Sequence, residues 1–250
     1  MTSDIEIRHI FDLAGRSYNN NQYTFTDFLT PAIINDFYNN ISELPPCGFD
    51  VSGGYEGAER VIIRFGREED LGYVEDYPIR CVCIEPVVAK FADELTHRDV
   101  LGSIMNLGME REKLGDILIK DNKIWVICLP AMAELIIQEL TRIKHTSVKC
   151  YIEETIPDAL KPTYEDVQIQ AASERIDGIV SKLCKLSRNA SSQLFVDGKV
   201  AVNGRENRNH SYMLKEQDVI SVRGYGKYRF IGVVGHTRKD NLIVQIEKFV

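Results

Sequence analysis

Arg175, Lys182, Lys185 and Arg188 fall in a short run that also carries Ile176, Ile179, Val180 and Leu183 at helical spacing. The four apolar residues form a stripe. Arg175, Lys182 and Lys185 lie off it, so a helix here buries one side and presents positive charge elsewhere. Guanidinium and ammonium groups held this way suit charge-assisted hydrogen bonding to phosphate oxygens. Ser187 is placed to cap a second helix. Arg188 and Asn189 then sit beside the free N–H groups of its first turn, a setting that also favours phosphate. More cations follow at Lys199, Arg205, Arg208, Arg223, Lys227 and Arg229. Tyr225, Tyr228 and Phe230 interleave with the last three, as expected of a surface that meets RNA. Tyr225 and Tyr228 are candidates for base stacking and Phe230 for the core.

These side chains need a rigid frame, and local signals predict one. A basic helix is expected over 174–186, then a corner at Ser187-Arg188-Asn189 and a second short helix. A tight Asp197-Gly198 turn leads into a strand over 199–202. Asn203-Gly204 is a strong hairpin-turn signal, and 218–223 reads as another strand.

Charge sets this stretch apart. Residues 172–250 carry 14 Lys and Arg against 8 Asp and Glu, a net of +6. Residues 1–171 carry 16 against 29, a net of −13, so the overall −7 conceals two opposite halves. A basic C-terminal part points to nucleic acid as partner, and the acidic remainder does not.

Upstream, 1–45 is expected to be a helical segment. Ile5, Ile7, Ile10, Phe11 and Leu13 have mostly helical spacing, and Thr30-Pro31 marks the start of a second helix. Residues 46–156 read as a two-layer α/β domain of ferredoxin or RRM type, in the order ββαββαβ. Strands are expected at 61–63, 79–84, 116–119, 123–129 and 148–152, with helices over 98–107 and 130–143. Residues 157–171 contain two prolines and read as a linker, and 172–250 as the basic module. The fold class expected is α+β.

No catalytic residues are assigned. His97-Arg98-Asp99 lacks the downstream partners of a kinase loop, and the glycines at 48, 53, 54 and 57 match no phosphate-loop spacing. The five histidines have no metal-site spacing, and the six cysteines form no CxxC pair and read as buried thiols. No metal or cofactor is therefore expected. The chain has no apolar run long enough for a membrane helix and its N-terminus lacks a signal-peptide pattern, so a cytoplasmic protein without a membrane partner is expected. Arg223–Phe230 partly matches the aromatic sheet motif of RRM domains, but Lys227 stands where an aromatic belongs.

The local strings Glu174-Arg175-Ile176-Asp177, Ser187-Arg188, Gly198-Lys199-Val200-Ala201-Val202-Asn203-Gly204 and Gln217-Asp218-Val219-Ile220 resemble the signature of the S-four RNA-binding domain over 173–230. That resemblance implies RNA-facing roles for Arg175, Lys182, Lys185, Ser187, Arg188, Lys199 and Arg205, with Arg223 and Lys227 added. The order of helices, small α/β domain and C-terminal S-four domain resembles the YlmH family of Firmicutes over essentially the whole chain. Thr96–Gly108, with its Thr-His-Arg-Asp-Val-Leu-Gly core, and Arg111–Ile117 support this. The resemblance implies a non-enzymatic factor of ribosome-associated quality control. Its partners would be large-subunit ribosomal RNA and peptidyl-tRNA, with an older link to cell division and division proteins. It also makes Arg98, Arg111 and Lys113 a candidate second RNA surface. Two alternatives are an RNA-modifying enzyme with an unrecognised site and a cell-division interaction factor that uses the acidic front half.

Overall fold

The computed structural model describes residues 2–157 and 160–250 and divides into two compact units, residues 1–161 and 162–250. The fold is α+β, with helices packed on antiparallel sheets.

The first unit opens with α1 (Thr2–Asn20), β1 (Thr24–Phe25) and α2 (Pro31–Asn39). Thr30 caps α2, its hydroxyl oxygen accepting from the Ile33 N–H, and Pro31 sits in the first turn where a missing N–H costs nothing. Strands β2 (Phe49–Ser52) and β3 (Ile62–Phe65) follow, then the short α3 (Glu68–Leu71). The sheet order is β1-β3-β2. Ile10, Ala14, Ile33, Phe37, Ile63 and Phe65 form one core. The helical segment expected to end at residue 45 is thus incomplete, because its helices bury their stripes against β3. Ile62 and Ile63, expected in the middle sheet, pair instead with Ser52 and Val51 of β2, while Arg64 and Phe65 pair with β1, and the sequence pattern predicts neither β1 nor β2.

The second part of this unit is built from β4 (Arg80–Pro86), α4 (His97–Met105), β5 (Leu114–Lys120), β6 (Lys123–Cys128), α5 (Pro130–Glu139), β7 (Arg142–Ile143) and β8 (Thr146–Glu153). The sheet order is β5-β6-β4-β8-β7. Connections β4-α4-β5 and β6-α5-β8 place the first and third long strands centrally, as in split βαβ folds. Val100, Ile104, Ala133 and Ile136 cover one sheet face through Val82, Ile84, Val126 and Val148. The helix expected to run to residue 143 stops at Glu139. Leu140 is extended, and Arg142 and Ile143 pair with Ser147 and Thr146.

The opposite sheet face is also occupied. Cys81, Cys83, Trp125 and Ile127 pack with Phe28 and Ile62. Arg60, buried there, donates to the carbonyls of Leu114, Phe28 and Arg111. Burial lowers its pKa to about 10, and the nearby Arg111 acts in the same direction.

The second unit contains β9 (Tyr164–Ala171), α6 (Ile176–Leu183), α7 (Arg188–Val196), β10 (Val200–Val202), β11 (Arg205–Glu206), β12 (Val219–Val222), β13 (Gly226–His236) and β14 (Leu242–Phe249). Its sheet runs β11-β10-β12-β13-β14-β9. Residues 164–171 are therefore a strand and not a linker. Each pairs with a residue of β14, from Ala171 with Leu242 to Tyr164 with Phe249. Val167, Ile169 and Ala171 alternate toward the core, which offsets the polar residues between them. Residues 158 and 159 of the expected linker lie outside the described residues.

Candidate nucleic-acid interface

Helices α6 and α7 lie on one face of the six-stranded sheet. Ile176, Ile179, Val180, Leu194 and Phe195 pack against Val200, Val202, Ile220, Val222, Tyr228 and Phe230. Helix α6 spans 176–183, shorter at both ends than the 174–186 expected. Arg175 is its N-cap residue. At the other end Lys185 adopts φ 53°, and Leu186 N–H reaches the Ser181 carbonyl while Lys185 N–H reaches Lys182. This is a Schellman closure with lysine where glycine is usual. It turns the chain sharply into Ser187, whose hydroxyl oxygen accepts from Ala190 N–H and caps α7. Ser191 Oγ donates to the Asp177 carbonyl and ties the two helices together.

The corner holds a groove of about 540 Å³ lined by Arg175, Lys182 and Arg188 together with Asp177, Ser181 and Ser192. Lys182, Lys185 and Arg188 are exposed, and among the described residues they make no ion pair. Arg175 differs. Its Nε and Nη2 donate to the two carboxylate oxygens of Asp177 at 3.1 and 2.8 Å. Burial pushes the Asp177 carboxyl up, but Arg175 and the Gly178 N–H outweigh it and hold the group below its ordinary value. Arg175 is thus committed in part to its neighbour. Ser187 likewise serves first as a cap.

The remaining expected contacts lie elsewhere in the unit. Val200, Val202, Ile220 and Val222 point to the helix side, so Ala201 and Ser221, paired directly across the strands, point to the other. Lys199, Arg223 and Lys227 line a hollow over Ala201 and Ser221. Lys199 is paired with Asp197 at 2.9 Å. Arg205 is exposed just past the Asn203-Gly204 turn, whose φ values of 49° and 78° fit a tight hairpin. Tyr228 is buried, with its hydroxyl donating to the Tyr225 carbonyl, so it takes no part in stacking. Phe230 is fully buried and Tyr225 is exposed.

Sequence reasoning missed the role of Asn203 and Asp218. The Asn203 amide donates to Asp218 Oδ1 at 2.7 Å, and its carbonyl oxygen accepts from Val219 N–H. Tyr212 OH and Lys215 N–H both donate to Asp218 Oδ2. The sequence signal was their place in strings that resemble the S-four signature.

The structure does not bring Arg98, Arg111 and Lys113 together as a free basic patch. Arg111 donates to the carbonyls of Leu114 and Gly115, and burial lowers its pKa. Lys113 is ion-paired with Asp27 at 2.8 Å. Arg98 is exposed on α4. The sheet beside them does not offer the open face that RRM domains use, since Phe28 and Ile62 pack on it.

Residues 3–70 match the family described as "YlmH, N-terminal", and residues 73–155 match "Putative RNA-binding domain in YlmH". The chain belongs to the YlmH family. A curated YlmH-type relative, the Ribosome-associated protein quality control protein P2 of Bacillus subtilis (strain 168), is 28% identical over 229 residues, which cover 89% of this chain and 86% of the relative. The solved structure of the Cell division protein ylmH from Streptococcus pneumoniae superposes with a TM-score of 0.49 at 18% identity, over 61% of this chain and 92% of that one. The two YlmH matches divide near residue 71, so β2 and β3 fall with α1 and α2, as their shared core also has it.

The Schellman closure makes a separable prediction within this YlmH chain. A side chain at φ 53° costs roughly 1 kcal/mol relative to glycine. Lys185→Gly should therefore raise stability by about 0.5–1 kcal/mol in urea unfolding. A loss of stability would mean that the lysine side chain itself holds the corner.

Proposed function

We propose that this chain is a non-catalytic RNA-binding protein that works on the ribosome in quality control of stalled nascent chains. The observation that carries this reading is the groove at the α6–α7 corner, with Lys182 and Arg188 unpaired among the described residues and α7 presenting its first-turn N–H groups beside them. Such a surface suits the phosphate spacing of folded RNA. In this reading residues 162–250 form an S-four domain. Arg175, Lys182, Lys185, Ser187 and Arg188 are its RNA contacts, and Arg98 is the remaining cation of a second surface on the ferredoxin-like middle domain.

The finer target is the large subunit carrying peptidyl-tRNA, in the cytoplasm. Support comes from the YlmH membership, from the family description of residues 73–155, and from the named role of the Bacillus relative. The acidic first unit fits a selective binder, because it repels phosphate outside the docking geometry. No helix among the described residues is long and apolar enough to cross a membrane.

Ultraviolet crosslinking in cells tests the target. Large-subunit RNA and tRNA should be enriched over an uncrosslinked control. Recovery of mostly messenger RNA, with those two at background, overturns the ribosomal reading.

A further inference from the structure

Two groups of cations in the C-terminal unit lie on opposite sides of its sheet. Helices α6 and α7 cover one face, and Arg175, Lys182 and Arg188 sit at their corner. The other face carries a lane that follows the strand pairing. Tyr164 lies opposite Phe249 and Ala201 opposite Ser221, which in turn faces Lys227. Lys227 lies beside Phe249, its Nζ 4.7 Å from the ring centre. Next to this lane Arg223 N–H bonds the Lys199 carbonyl, which places both cations at its border.

The lane has a floor and a wall. Ala201 and Ser221 are too small to fill the space between Lys199, Arg223 and Lys227, and Gly198, Gly224 and Gly226 leave its rim without side chains. A hollow of about 470 Å³ results. Glu206 is the one acid in its lining, and it is paired with Arg208 at 2.6 Å. At the other end of the lane Tyr164 and Phe249 meet edge to face with ring centres 5.0 Å apart. Arg229 lies over both rings, at 5.1 and 5.3 Å, and is paired with Glu247 at 2.8 Å, so the charge for phosphate comes from the hollow and not from this end. A cation-lined hollow beside paired aromatics combines the two requirements of an unpaired RNA strand, charge for its phosphates and π-faces for its bases.

We propose that this outer sheet face is a second RNA-binding surface, which takes a short single-stranded segment with phosphate over Ala201 and Ser221 and a base against Tyr164 and Phe249. The assignment goes beyond the corner site and does not need it. It lets one small unit hold a folded RNA on its helices and an unpaired strand on its back.

Fluorescence anisotropy with the full chain tests the proposal, using labelled oligouridylate as the single strand and a labelled RNA hairpin as the folded probe. Arg223→Ala with Lys227→Ala should weaken oligouridylate binding about tenfold or more and leave the hairpin nearly unchanged. Ala201→Glu, which puts a carboxylate on the solvent-facing floor, should do the same without removing any packed side chain. Lys182→Ala with Arg188→Ala should show the reverse pattern. No oligouridylate binding by the unmodified chain, or unchanged binding in both outer-face variants with circular dichroism intact, overturns the proposal. Equal losses on both probes in every variant would mean one continuous surface. That result removes the second site while leaving the corner reading in place.

Discussion

Lys182→Ala combined with Arg188→Ala should weaken binding of structured RNA by about 2–4 kcal/mol, since each charge-assisted contact to phosphate contributes roughly 1.5–3 kcal/mol and the two are not fully additive. Both side chains are exposed and neither makes an ion pair among the described residues, so their removal leaves no orphaned acid. The loss should therefore appear in affinity and not in stability. The dependence on salt should flatten as well. Each phosphate contact contributes about 0.7–0.9 to the slope of log affinity against log salt, so the double variant should lose about 1.4–1.8. Arg175→Ala makes a useful contrast. Its guanidinium is already held by Asp177, so its removal frees a carboxylate at the groove, and part of any effect will be repulsion. Filter binding at several salt concentrations measures all three variants. Unchanged affinity and slope in the double variant, with the fold intact, would remove the corner from the RNA contact.

Asp218→Ala should destabilise the C-terminal unit by about 3–4 kcal/mol. Asp218 is 5% exposed, and its carboxylate accepts from three donors, the Asn203 amide, the Tyr212 hydroxyl and the Lys215 backbone N–H. Truncation strands all three, and a buried donor left without a partner costs roughly 1–3 kcal/mol, with some recovered by water. In the intact protein burial, with Asp218 alongside, pushes the Tyr212 hydroxyl up to about 12, so that group stays protonated and donates to the carboxylate. Urea unfolding of the full chain, followed by far-ultraviolet circular dichroism, should show the transition of this unit moving to lower denaturant. A loss below about 1 kcal/mol would mean that the network is loosely hydrated and does not hold the hairpin. This network gives the Asn203-Gly204 and Gln217-Asp218 strings, which resemble the S-four signature, a physical reason. They lock the loop before β12 to the turn after β10, and they are structural residues beside the candidate contacts.

Legibility in the sequence followed the range of the interactions. The α6–α7 corner could be read because its signals are local: an apolar stripe, the Ser187 cap, and a turn at Asn203-Gly204 that needs two positive φ values. Strand β9 could not, because its partner β14 is distant in sequence and its exposed face is polar. The alternation of Val167, Ile169 and Ala171 is too short a signal against Pro157 and Pro162 nearby, which favour a linker. Helix α5 was overextended because Leu140 and Ile143 continue its apolar pattern, although Ile143 is buried from a strand. Among the candidate contacts, residue type could not show direction. Arg111 and Lys113 look like surface cations in the sequence, yet one bonds carbonyls at the start of β5 and the other Asp27. The division of Lys199, Arg223 and Lys227 from the helix-corner cations likewise needed the sheet register.

The β9–β14 pairing also fixes the order in which the C-terminal unit can mature. Its two outermost segments in sequence are neighbours in space, clamped by Thr163 and Val250 through a backbone bond and the Thr163 hydroxyl. Contacts this distant along the chain form late and slowly. During synthesis β9 emerges early and stays a bare edge until β14 leaves the exit tunnel, whereas the contacts between α6 and α7 and within the β10–β11 hairpin are local in sequence. A nascent copy therefore carries both helices of its corner before the strands that cover their apolar stripes have all been made.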